Sequence, residues 1–205
     1  MRTGVFQRVA ESIRALEVVG VAPVHLGRQL PHFAQVHPVA QLDVDTVRFP
    51  DSSVGELEMV RHPGASAVVP FLSDPSGGDP QVLLIRQYRY AAEGYLYEIP
   101  AGRLNPGEGP RECAVRELKE ETGCSAERVD ELFTMYTTPG FTDEKIHLFM
   151  ATGLTSGETK HEADEFLELQ PMPLSRALQM IQAGEIQDSK TALGLLFAAG
   201  FRAGH

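Results

Sequence analysis

Basic residues are scarce in this chain: 18 lysines and arginines stand against 28 aspartates and glutamates, a formal net charge of −10. A surface of that sign argues against nonspecific DNA or RNA binding, although an acidic protein still binds phosphates locally through metal and arginine. Long apolar runs are missing too. No stretch approaches the ~18 consecutive apolar residues of a membrane-crossing helix. The first 23 residues are mildly apolar but carry Glu11, Arg14 and Glu17, which interrupt any signal-peptide core. A cytoplasmic protein with no membrane partner is the expectation. Cysteine is nearly absent. Cys113 and Cys124 lie eleven residues apart, without metal-ligand spacing, and are expected to be small buried apolar residues. Internal repeats and low-complexity segments are lacking as well. The 205 residues, 42% apolar and 22% charged, suffice for one globular core or one domain with an extra layer.

Residues 1–41 have no dependable period and contain Pro23, Pro31 and Pro38. A short helix over 10–19 is the one element expected there. From residue 42 the pattern turns to strands. Residues 42–49 alternate, with Val44, Thr46 and Arg48 on one side and Asp43, Asp45, Val47 and Phe49 on the other. Turn residues 50–53 follow, and 56–61 read as the return strand of a hairpin. Further strands are expected over 66–72, 81–88, 96–99, 128–136, 145–152 and 165–170. One long helix is expected over 110–122. Two more close the chain: 176–183, capped by Ser175 and stopped by Gly184, and one from Asp188 or Ser189 to about Ala199. Strands on both sides of one long helix, with helices at the end, make an α+β sandwich around a mixed sheet.

Residues 102–124, GRLNPGEGPRECAVRELKEETGC, carry the most chemistry. Pro110 suits a first helical turn and Gly123 a helix stop. At about 100° per residue, Ala114, Val115 and Leu118 share a side that can face a core. Glu117, Glu120 and Glu121 fall within roughly 100° of arc beside it. Three carboxylates so placed repel one another unless a cation joins them. Oxygen-only ligands select hard divalent ions, Mg²⁺ or in its place Mn²⁺. Arg116 and Glu108 can pair to brace the loop against the helix. Three helical glutamates alone would read as a solvated acidic face. Gly102 and Glu108, outside the helix, belong to the same nine-position pattern as Arg116, Glu117, Leu118, Glu120, Glu121, Gly123 and Cys124. Only Cys124, in a place usually aliphatic, is a soft match.

That segment resembles the Nudix box, and the chain around it resembles the ADP-ribose pyrophosphatase branch of the Nudix hydrolases. The flanking matches are Arg86-Gln87-Tyr88-Arg89-Tyr90, Glu98-Ile99-Pro100-Ala101-Gly102 and the loop 138–144, with Pro139 sixteen residues past Gly123. The resemblance covers about 42–200 and leaves residues 1–41 unassigned. It implies an α/β/α sandwich over 62–205 and an N-terminal hairpin, 42–61, exchanged in a homodimer. It places metal on Glu117, Glu120, Glu121 and the Ala101 carbonyl, with Glu120 and Arg116 also in the catalytic set. Substrate contacts fall to Arg86, Arg89, Glu98, Pro139 and Gly140, and to Arg61 reaching across the dimer. The bland alternative for each arginine is a surface ion pair. The base is expected in the polar loop 155–164: Glu162 first, then Glu165, then Glu158. His161 reads as solvated. The implied reaction is Mg²⁺-dependent hydrolysis of ADP-ribose to AMP and ribose 5-phosphate. The alternatives are another nucleoside diphosphate sugar, such as GDP-mannose, and a non-catalytic nucleotide-binding module, which loss of box glutamates would mark.

Overall fold

The alternating segment forms β1 (Gln41–Arg48), paired antiparallel with β2 (Val54–Arg61) in a computed structural model that describes residues 41–157 and 167–203. The turn is set by Asp51, which accepts the Ser53 amide at 3.0 Å and its hydroxyl at 2.6 Å. The return strand starts at Val54 rather than at residue 56, because the ladder runs on to the Arg48–Val54 pair. Asp43 and Asp45 are less exposed than Leu42 and Val44. The cause is Arg61, which donates to Asp43 at 3.2 Å and also to Asp45, lying across that face. The hairpin belongs to the unit Met1–His62; the rest of the fold is a second unit, Pro63–His205.

In the second unit the strands are β3 (Ala65–Pro70), β4 (Gln81–Arg89), β5 (Gly94–Glu98), β6 (Ala101–Arg103), β7 (Ser125–Tyr136), β8 (Lys145–Thr155) and β9 (Leu167–Pro173). The helices are α1 (Pro110–Thr122), α2 (Leu174–Gln182) and α3 (Ser189–Ala203). One sheet runs β6-β3-β8-β7 with β3 and β8 parallel, and a smaller antiparallel one runs β5-β4-β9. β3 is buried on both faces, which explains its unbroken apolar character. Its Ala67 and Val69 pack, with Phe71 just beyond the strand, into the cluster that holds Leu174, Ala177 and Met180 of α2 and Leu195 and Ala198 of α3. Val68 points the other way, to Ala114 and Leu118 of α1. Helices therefore cover both faces, giving the α/β/α sandwich expected from sequence.

Several boundaries moved for identifiable reasons. Strand 96–99 is instead β5, and Pro100 separates it from the short β6. β9 ends later than the expected 165–170, and residues 165–166 lie outside those described. It tolerates Pro171 and Pro173 because, among the described residues, it is an edge strand paired with β4 alone. Ser175 is not the cap of α2. The helix starts a residue earlier, and the Ser175 amide and hydroxyl both donate to Asp79, at 3.0 and 2.7 Å. Asp188 does cap α3, accepting the Thr191 amide at 2.9 Å.

Candidate active site

α1 begins at Pro110, with the Gly109 amide donating to Glu112 at 2.7 Å, and ends at Gly123, whose φ of 71° lets its amide reach the Lys119 carbonyl. Its start is pinned to the sheet by Ser66, fully buried in β3, which donates its hydroxyl to the Pro110 carbonyl at 2.7 Å. The buried residues of the helix are Cys113, Ala114, Glu117, Leu118, Glu121 and Thr122. Val115, expected in the core, is 39% exposed. It sits about 100° round from Ala114, at the solvent edge of the buried face. Glu117 and Glu121 fill the inner positions instead, and Glu121 is only 3% exposed.

The carboxylates are tied down rather than solvated. Arg116 donates to both oxygens of Glu108, at 2.7 and 3.0 Å, to Glu117 at 2.6 Å, to Glu120 at 2.9 Å and to the Arg103 carbonyl at 2.9 Å. The expected Arg116–Glu108 brace is present. Hydrogen bonding to Arg116 holds the Glu108 carboxyl below its ordinary range. Glu121 accepts the Ala101 amide at 3.1 Å, which locks the strand entering the box to the helix. A Cβ built on Gly102 would stand 1.8 Å from a Glu117 oxygen, so this glycine makes room for a carboxylate. Cys113 and Cys124 are buried as expected. Burial pushes the Cys113 thiol up to about 11, leaving it neutral and inert.

A second polar group adjoins this one. Glu98, at the end of β5, is 1% exposed and takes a bidentate pair from Arg89, at 2.7 and 2.9 Å. It also accepts Lys190 Nζ at 2.5 Å, and Lys190 reaches Asp188 at 3.0 Å. Burial alone would raise the Glu98 carboxyl, but hydrogen bonds and charge from Arg89 and Lys190 outweigh it and hold Glu98 below its ordinary value. Arg89 is stabilised as a cation chiefly by its hydrogen bonds to Glu98, with the charges of Glu98, Glu121 and Asp188 adding to it. The two groups are joined along the chain, since the Ala101 amide that donates to Glu121 lies three residues past Glu98. Thr191 completes the set: its hydroxyl accepts the Ile99 amide at 2.8 Å and donates to Asp188 at 2.5 Å.

Of the residues singled out from sequence, Arg86 is turned away from Arg89. It lies three positions from Arg89, so strand alternation turns it to the opposite face. There it pairs with Glu168 at 3.1 Å and stacks over Tyr95, 4.1 Å from the ring centre. Arg61 is engaged within its own hairpin. Pro139 and Gly140 are exposed in a turn closed by the Phe141 and Thr142 amides on the Thr138 carbonyl, both at 3.1 Å. Glu158, His161, Glu162 and Glu165 lie outside the described residues. Sequence reasoning missed Lys190 and Thr191 and read Asp188 only as a cap. One signal was available. A lysine in the first turn of a helix opposes the helix dipole, so its position asks for an acidic partner elsewhere.

Residues 62–192 match the NUDIX domain, and the chain belongs to the Nudix family of hydrolases. It is 41% identical over 161 residues to the methanol dehydrogenase activator of Bacillus methanolicus, covering 78% of this chain and 84% of that protein. It is 37% identical over 161 residues to the ADP-ribose pyrophosphatase of Bacillus subtilis (strain 168), with the same coverage. Among solved structures, one titled "Crystal structure of ADP compounds hydrolase" superposes with a TM-score of 0.68 at 22% identity, over 81% of this chain and 88% of that one. That likeness speaks to the fold.

Nudix hydrolases generally use divalent metals, and the residues present fit such an ion by their chemistry. The donors are all oxygen, as a hard cation requires, and Gly102 gives up its side-chain space to the Glu117 carboxylate. Among the described residues, no three acidic, histidine or cysteine side chains already close on one point. Arg116 holds Glu117 and Glu120 together in that arrangement.

Proposed function

We propose that the chain hydrolyses the diphosphate bond of ADP-ribose, giving AMP and ribose 5-phosphate, with Mg²⁺ as the natural ion and Mn²⁺ as a substitute. The observation that carries this reading is the joining of two charge systems across residues 98–101. Glu121 of the acidic helix accepts the Ala101 amide, and Glu98, three residues before Ala101, holds the Arg89 cation. A diphosphate needs both, a site for metal and a fixed cation for its remaining charge. The Bacillus subtilis relative named ADP-ribose pyrophosphatase supports this choice of substrate.

Glu117, Glu120, Glu121 and the Ala101 carbonyl would hold the metal. Bound there, it would neutralise diphosphate charge and acidify a water molecule. Arg89 uses two of its five N–H donors on Glu98 and keeps an edge for a phosphate oxygen. Its side chain is 41% exposed, against 2% for Glu98. Arg116 keeps Glu108 against the helix and so fixes the loop between β6 and α1. Water attacks one phosphorus in line, the bridging P–O bond breaks, and the water proton passes to a base. Glu162 is the proposed base on sequence grounds, with Glu165 second. We further propose a homodimer, on the resemblance to the ADP-ribose pyrophosphatase branch, and a cytoplasmic location, since the N-terminal segment has no clean signal-peptide core.

The test is a substrate panel with Mg²⁺: ADP-ribose, GDP-mannose, NADH, diadenosine polyphosphates and nucleoside triphosphates, scored for released nucleotide. ADP-ribose should give the highest kcat/KM. A higher value for GDP-mannose moves the reading to a nucleotide-sugar hydrolase of the same chemistry, and no turnover on any of them overturns it.

A further inference from the structure

Lys190 is an awkward residue for its position. It sits in the first turn of α3, where the helix dipole disfavours a cation. Its side chain is only 12% exposed, so it is poorly placed to meet a ligand directly. What it does meet is the Glu98 oxygen that also accepts Arg89 Nη2. Among the described residues, Glu98 is the carboxylate that holds Arg89 by hydrogen bonds, through Nε and Nη2 together. Lys190 is itself held by Asp188, and Asp188 by the amide and hydroxyl of Thr191. The chain of contacts therefore runs from the start of α3, through Lys190 and Glu98, to the guanidinium edge left for an anion.

We propose that Lys190 is a positioning residue for the substrate diphosphate, setting through Glu98 the direction in which Arg89 presents its guanidinium. The inference rests on the hydrolase reading. Without Lys190 the Glu98 carboxylate keeps Arg89 alone. The terminal torsion of a glutamate is broad, so the carboxylate can turn and Arg89 turns with it. The charge balance changes as well. Arg89 and Glu98 by themselves form a neutral pair, and Lys190 offsets part of the Glu98 charge. The other charged groups around this pair are Asp188 on α3 and Glu121 on α1.

The experiment is steady-state kinetics on ADP-ribose with Mg²⁺ for wild type, Lys190→Met, Lys190→Arg, Arg89→Met and the Arg89→Met/Lys190→Met pair, with a thermal melt of each. An interaction that acts on ground state and transition state alike moves KM and spares kcat. Lys190→Met should raise KM about tenfold or more and change kcat by less than about threefold, while Lys190→Arg returns KM to within about threefold of wild type. In the Arg89→Met background, adding Lys190→Met should change KM less than about twofold, because the effect runs through Arg89. A purely structural lysine would lower the melting temperature and the active fraction but leave KM unmoved; that result overturns the inference alone. An additive KM effect in the double variant also overturns it. If Lys190→Met does not fold, Lys190→Gln takes its place in the same comparison with Lys190→Arg. A wild type that turns over nothing in the substrate panel overturns the hydrolase reading and this inference with it.

Discussion

Gly102 is the residue whose role depends most directly on what it lacks. The first atom its side chain would meet is the end of a flexible glutamate rather than backbone. Gly102→Ala should therefore displace Glu117 and leave the fold standing. The expected result is a fall in kcat/KM of about a hundredfold or more, the scale of losing one charge-stabilising contact at the reacting centre, with a melting temperature within a few degrees of wild type. Collapse of the fold in circular dichroism would contradict this. Glu98 gives a prediction in pH. Its folded-state value is depressed, so its contribution to stability is present above the ordinary value of 4.5 and is lost as pH falls through the lower folded value. Glu98→Gln should be less stable above pH 4.5, since it leaves Arg89 without its carboxylate and Lys190 with Asp188 alone, and the difference should close as pH falls. Its stability should also fall less steeply below pH 4.5, by up to about 1.4 kcal/mol per pH unit for the one proton removed. Urea unfolding at a series of pH values measures both effects.

At the level of elements, the last helix does more than cover the sheet. α3 docks closely enough that a Cβ on Gly194 would come within 3.1 Å of Val69 and 3.2 Å of Ile99. Its Thr191 also accepts the Ile99 amide at the end of β5. Thr191→Val keeps the shape and strands that amide in a buried place. The cost should be about 1–3 kcal/mol in urea unfolding, and a loss under about 0.5 kcal/mol would mean another acceptor takes over. Elements differ in how far they could be read beforehand. α1 was legible at both ends because Pro110 and Gly123 are local signals. β9 and α2 were displaced because their limits come from the β4 ladder and from Asp79, distant in sequence. The site divides in the same way. Glu108, Arg116 and the three glutamates are packed into one short segment and can be recognised there. Lys190 meets Glu98 across 92 residues, and no local pattern carries a contact of that span.

At the scale of the whole molecule, the hairpin of β1 and β2 is the part that cannot account for itself. Leu42, Val44, Val54 and Leu57 are all exposed on it, and an isolated two-stranded hairpin is marginal in water. Both apolar clusters of the second unit lie within Pro63–His205. If the hairpin is exchanged between two copies, light scattering should give twice the 22.4 kDa chain mass. A fragment of residues 63–205 should then run as a monomer that still melts cooperatively. A full-length chain at single mass would rule the exchange out. Arg116 has a consequence at this scale too. A zinc finger stripped of its ion unfolds, because its ligands then have nothing to hold them. Here Glu117 and Glu120, proposed to hold metal, are already joined to Glu108 by one guanidinium. A metal held by Glu117 and Glu120 would share those carboxylates with Arg116. Because Arg116 holds these side chains by hydrogen bonds of its own, the fold would not depend on the ion in the way that a zinc finger does.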